Sequence, residues 1–184
     1  MSQVDELISE YGRFVAHPWK WNLPGPQRIW MVVYDPVQER RIRYRLPEFE
    51  LATKHAKHGW KLHDLTNALP IWLAQLEYLT SYFKDPEALS TAIPDFVESV
   101  VRDVTTALEG AGKDDVVAFL GAGALYPFCR VSEIIEHVNP SIRGRMLVFF
   151  PGEYSNMVYR LLKARDGWNY MAVPITATSI GAST

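Results

Sequence analysis

The chain has 184 residues, 48% of them apolar and 22% charged, with a formal net charge of −2, enough for one domain with a self-sufficient core and too little positive charge to coat nucleic acid. Its single cysteine, Cys129, excludes an internal disulfide and a thiolate-rich metal site and points to the cytoplasm. No apolar run approaches the roughly 20 residues that cross a bilayer, and the opening MSQVDELISEYGRF is acidic and amphipathic, unlike a secretory leader.

Val4, Leu7, Ile8, Tyr11 and Phe14 recur at helical spacing and predict an amphipathic helix that stops before His17-Pro18. Residues 17–28, HPWKWNLPGPQR, read as an irregular connection anchored by Trp19 and Trp21. IWMVVYDP predicts a buried strand closed by an Asp-Pro turn. RRIRYRL alternates Ile42, Tyr44 and Leu46 with Arg41, Arg43 and Arg45, which predicts the second strand of a hairpin with one basic face. Pro47 then suits the first turn of a helix running towards His58, with Gly59 as its stop. WKLHDLT predicts a third strand, and residues 67–109 are helical, punctuated by Asp85-Pro86 and Ile93-Pro94. DDVVAFL is a strand, residues 127–138 a helix, RMLVFF a strand, residues 155–164 a short helix and WNYMAVPI a final strand. Strands alternating with helices predict a single α/β domain over residues 1–184, a mostly parallel open sheet flanked by helices. Ligands and partners of such sheets gather at the strands' carboxyl ends, which places the loops after Leu120 and Phe150 foremost.

Both loops carry glycines, as a phosphate-binding turn does, but the chemistry is incomplete. A phosphate loop needs a Lys for the outer phosphates and a Ser or Thr for magnesium, and GAGALYPF has neither. A dinucleotide fingerprint needs a third glycine where Tyr126 stands. The turn after the first strand, YDPVQERR, where a nucleotide-binding sheet carries its phosphate loop, contains no glycine. The sheet therefore resembles a P-loop-type sheet without nucleotide motifs, and no cofactor is expected. His55, His58 and His63 interleave with Lys54, Lys57 and Lys61, the pattern of a solvated basic face and not of a cation site. Cys129, beside Arg130 at a helix start, is a conceivable nucleophile, though free cysteines are usually small core residues. Glu153 sits at a strand's carboxyl end with no visible acid–base partner. No catalytic or metal-binding residue is assigned.

GAGALYPFCRVSEIIEHV followed by MLVFFPGEY resembles the signature half of the BrxB family, small components of the bacteriophage exclusion (BREX) systems of bacteria. Residues 121–128 and 149–154 carry the likeness, and the strand from Ile29 to Pro36 also fits. The resemblance implies a role in phage defence beside an adenine methyltransferase, a PglZ-type protein of the alkaline-phosphatase superfamily and a large ATPase. It suggests a non-catalytic adaptor docking the PglZ-type partner; a degenerate nucleotide-binding or hydrolytic subunit is the alternative. No membrane contact and no sequence-specific DNA binding by the chain alone are expected.

A docking module needs exposed aromatic and arginine anchors. Tyr126 and Arg130 follow one strand and Glu153 and Tyr154 another, and an Arg130–Glu153 pair would brace the two loops if they do not meet a partner. Trp19 and Trp21 form a second candidate anchor, or a seal of their loop onto the core. The ladder Arg41, Arg43 and Arg45 is a third, facing phosphates or an acidic partner, or solvent along an edge strand.

Overall fold

The structure, a computed structural model, describes residues 2–177. The elements are α1 (Gln3–Ala16), β1 (Ile29–Tyr34), α2 (Glu39–His55), β2 (Gly59–Asp64), α3 (Ala68–Ala74), α4 (Leu79–Lys84) and α5 (Ile93–Glu109). They continue with β3 (Asp115–Leu120), α6 (Val131–Val138), β4 (Arg145–Ser155), β5 (Val158–Leu161), β6 (Trp168–Asn169) and β7 (Val173–Ile175). The main sheet runs β2-β3-β4-β1-β7, every neighbour parallel, and β4 extends past the sheet to form an antiparallel ribbon with β5 and β6.

Period-two alternation divides the core into two layers. Trp30, Val32, Tyr34, Val116, Ala118, Leu120, Leu147 and Phe149 face α1 and α2, where Leu7, Tyr11, Ile42 and Phe49 are buried against them. Met31, Val33, Val117, Phe119, Val148 and Phe150 face the opposite way, onto Phe96, Val100 and Val104 of α5 and Ile134, Ile135 and Val138 of α6. Each Val, Leu, Ile, Met or Phe among them stabilises the fold by roughly 1.5–3 kcal/mol when buried. Both faces of the three central strands are covered, which is why those strands read as unbroken apolar runs. Helix α1 starts at a capping box: the Ser2 hydroxyl accepts the Asp5 N–H, and the Asp5 carboxylate accepts the Ser2 N–H at 2.9 Å. It is fixed to α2 by a 2.6 Å hydrogen bond between the Tyr11 and Thr53 hydroxyls and by packing of the Tyr11 and Phe49 rings.

The segment expected as a basic hairpin strand is helix. Asp35 is a helix-type cap, its carboxylate accepting the Val37 N–H at 3.0 Å over a 3₁₀ turn at Pro36–Gln38 that leads into α2. Parallel strands β1 and β2 need a crossover, and a hairpin cannot supply one. The inward residues Ile42, Leu46, Phe49 and Thr53 follow a 4-3-4 spacing, the period of a helix, beneath the local alternation. Pro47 lies inside α2 and does not open it.

The expected helix at 155–164 is strand β5, joined to β4 by a two-residue turn at Asn156 and Met157, both with positive φ (52° and 63°), as primed hairpin turns require. The final strand is split: Trp168–Asn169 pairs with β5, whereas Val173–Ile175 pairs with β1. The helix expected at 127–138 begins only at Val131. Among the described residues, no helix is long and apolar enough to cross a membrane.

Candidate functional site

The carboxyl ends of β1, β2 and β3 are closed by a polar network. The Tyr34 hydroxyl donates to Glu39 at 2.5 Å, and the Arg43 guanidinium donates to Glu39 at 2.8 Å, to Asp64 at 3.2 Å and to the Thr66 hydroxyl at 2.7 Å. Asp64 also accepts the Thr66 N–H at 2.9 Å and its hydroxyl. Burial drives the Tyr34 phenol far above its ordinary pKa, reinforced by its hydrogen bond to Glu39. Burial pushes Asp64 upward, but its hydrogen bonds from Thr66 and the charge of Arg43 outweigh this and hold the carboxyl below its usual value. Two carboxylates, Glu39 and Asp64, thus stand where a nucleotide-binding sheet presents N–H groups to a phosphate, and their charge opposes an anion there.

The signature glycines have structural work within the chain. Gly121 adopts φ +85°, and a Cβ on it would lie 2.6 Å from the Thr66 nitrogen, so glycine lets β3 end against the Asp64–Thr66 turn. A Cβ on Gly152 would lie 2.0 Å from the Arg160 carbonyl oxygen, so glycine is what allows β5 to pair there. The strand expected to stop at Phe150 accordingly continues through Pro151 to Ser155.

The residues after β3 and around the ribbon are brought together only in part. Tyr126 is half exposed, and Arg130 projects from the start of α6 with Asp166 3.8 Å away, not with Glu153. Glu153 lies opposite Arg160 in the β4–β5 register. Tyr154 packs against Tyr159 with ring centroids 4.5 Å apart and is partly buried on the core, so it braces the ribbon. Cys129 is buried, and desolvation, reinforced by Glu133, pushes its thiol up to about 12, the opposite of what a nucleophile needs.

Trp19 is a seal. Its ring stacks on His58 at 3.7 Å, lies 4.7 Å from the Arg145 guanidinium and meets Trp30 edge-on, while its indole N–H donates to the Val15 carbonyl at 3.3 Å. Trp21 remains exposed, with the Lys113 ammonium 5.4 Å from its ring. The arginine ladder does not exist as one face, because helical residues two apart diverge by about 200°. Arg41 faces solvent, Arg43 belongs to the network at the strand ends, and Arg45 pairs with Glu48 and with Asp5 of α1 at 2.8 Å. His63 packs on Phe119 and His58 on Trp19, and no group of three His, Cys, Asp or Glu among the described residues is arranged to hold a metal ion.

Two features escape the sequence reading. The excursion between β2 and α5 exposes Ile71 by 59%, Tyr78 by 65% and Phe83 by 72%, and within residues 66–92 only Trp72 and Ala92 are buried, with Leu69, Leu73, Leu76, Tyr82 and Leu89 partly buried against the core. Helical length and mixed composition hid this, since Leu, Tyr and Phe in a helix are indistinguishable from core residues until the sheet face is known to be full. The second is a cleft of about 640 Å³ between the start of α6 and the ribbon. Its wall comes partly from residues 163–168, of which the sequence reading left only 165–167 between elements and placed 163–164 in a helix that does not form.

No curated protein and no solved structure matches the chain. Residues 73–175, more than half of its length, match the family described as BREX protein BrxB. That segment holds β3, α6, β4 and the ribbon, together with α4, α5, Tyr78 and Phe83. The chain belongs to the BrxB family and is a component of a BREX phage-defence system.

Proposed function

We propose that this protein is a non-catalytic adaptor of the BREX complex, docking a PglZ-type partner through the α3–α4 excursion and keeping it beside the methyltransferase and ATPase. The observation that carries this reading is the exposure of Tyr78, just before α4, and of Phe83 on it, in an excursion whose core contact is made mainly by Trp72 and partly buried leucines. Large exposed aromatics on a sparsely packed element are anchors for a protein surface, and truncating such an anchor commonly costs more than 1 kcal/mol of binding, about 2 at a hot spot. The closure of β1–β3 by Glu39, Arg43 and Asp64 supports the non-catalytic part: the place where such sheets gather substrate is filled by the chain's own side chains. Tyr126 and Arg130 remain exposed and available to the assembly, while Trp19 and Tyr154 serve as internal braces.

The test is co-purification of the tagged chain with the remaining proteins of its own operon. A PglZ-type protein retained by the wild type and lost from a Tyr78→Ser/Phe83→Ser double variant of unchanged melting midpoint supports the reading. Retention of other components alone contradicts it. A second reading, a degenerate nucleotide-binding subunit, is favoured by one observation, the basic cleft beside α6.

A further inference from the structure

We infer that the cleft beside α6 binds a nucleotide, holding its phosphate on Arg130, Lys163 and Arg165 and its base against Tyr126 and Trp168. This deepens the second reading and is independent of docking through α3 and α4. The cleft's volume of about 640 Å³ lies within the roughly 300–1,000 Å³ of pockets that take small ligands. One wall is Tyr126, Arg130 and Ser132; the other is the turn from Lys163 to Gly167. The half-buried Trp168 lines it as well, with the buried Phe150 and Tyr159 beneath.

Charge is the main argument for an anion. Three cations and one carboxylate, Asp166, converge on this cleft in a chain whose net charge is −2. The only ion pair among them, Arg130 with Asp166 at 3.8 Å, joins two strongly exposed side chains, which makes it weak and leaves the guanidinium free to exchange partners. The first turn of α6 has no side-chain cap, and its Val131 and Ser132 line the cleft beside Arg130, while Glu133 stands in the same turn but is not part of the lining. Aromatic rings interleaved with cations are the combination that holds a base by stacking and its phosphate by charge. A short cleft suits one nucleotide better than an extended acidic peptide, which needs a long groove or a free strand edge. The site is distinct from the closed ends of β1–β3. The source is either a free mononucleotide or the phosphorylated end of a nucleic-acid strand.

The experiment titrates the isolated full chain with AMP, adenosine, inorganic phosphate, a 5′-phosphorylated tetranucleotide, its unphosphorylated form and a polyglutamate peptide. Tryptophan fluorescence and calorimetry read binding. AMP or the phosphorylated tetranucleotide binds, and adenosine, phosphate and the unphosphorylated strand bind at least about tenfold more weakly, because each lacks half of the recognised chemistry. AMP outcompeting the strand identifies a free nucleotide; the reverse identifies a strand end. Arg130→Ala and Arg165→Ala each weaken binding about tenfold at unchanged melting midpoint, since both side chains are exposed. Binding of polyglutamate with no binding of AMP or the tetranucleotide overturns the inference, as do equal binding by phosphate alone, affinity indifferent to both variants, and no binding by any probe.

Discussion

Replacing Arg43 by Ala removes a side chain that ties α2 to the end of β2. Its guanidinium donates to Glu39 at 2.8 Å, Asp64 at 3.2 Å and Thr66 at 2.7 Å. All three residues keep partial contact with solvent, so each ion pair contributes only ~0.5 kcal/mol, and the charged hydrogen bond to Thr66 adds ~1. The loss is therefore about 2 kcal/mol, which for a domain of this size lowers the melting midpoint by roughly 4–8 °C. The pH dependence has a definite sign. The folded-state pKa of Asp64 is depressed, so its contribution is present above the unfolded carboxyl value and is lost as pH falls through the folded one. The gap between wild type and Arg43→Ala, measured by urea unfolding with tryptophan fluorescence, should narrow as pH drops below about 4. It should also shrink with added salt. A gap below ~0.5 kcal/mol at neutral pH, or one that widens in acid, refutes the account of the network. Glu39 and Asp64 remain in the variant, so ATP with magnesium should raise its midpoint no more than that of the wild type.

Pro47→Ala should stabilise the protein by about 1–2 kcal/mol in the same urea assay, because a helix-interior proline forfeits a hydrogen bond and crowds the preceding turn, partly offset by its restriction of the unfolded chain. Native Cys129 should react with a thiol reagent only as fast as the protein opens, since its folded thiol stays protonated; its raised pKa also means that stability is lost as pH climbs from about 8.5 towards its folded value. Trp19→Ala should cost ~3 kcal/mol by removing the surface packed on His58, Arg145 and Trp30, with partner affinity unchanged once folded protein is compared; lost affinity at full stability would restore Trp19 as an anchor.

The architecture was legible because its signal is long-range and redundant. Buried parallel strands such as IWMVVY and VVAFL announce themselves as apolar runs, and α5 by the recurrence of Phe96, Val100, Val104 and Leu108. RRIRYRL was not legible in a short window: six residues of alternation suit a strand, and only the longer spacing from Ile42 to Thr53, with the need to cross between parallel strands, selects the helix. Asp35-Pro36 carried the missed clue, an N-cap followed by proline at the first turn. The β4–β5 turn was hidden for another reason, since Asn156 suits positive φ and Met157 gives no such sign. Of the candidate site residues, Tyr126 and Arg130 were readable as loop residues at a strand's carboxyl side. For Arg43, Trp19 and Tyr154 the sequence left anchor and brace both open, because what a long side chain contacts depends on which elements pack beside it, and that is fixed only by topology.

The docking claim is tested most directly by the affinity of this chain for the PglZ-type protein of its own operon, measured by titration calorimetry on the wild type and on Tyr78→Ser/Phe83→Ser. The account predicts a saturable one-site interaction in the wild type. It predicts a loss of at least 100-fold in the double variant, about 2.7 kcal/mol and roughly 1.4 for each aromatic removed, with the melting midpoint of the isolated chain unchanged. No interaction in the wild type, or the same affinity in both proteins, would contradict it.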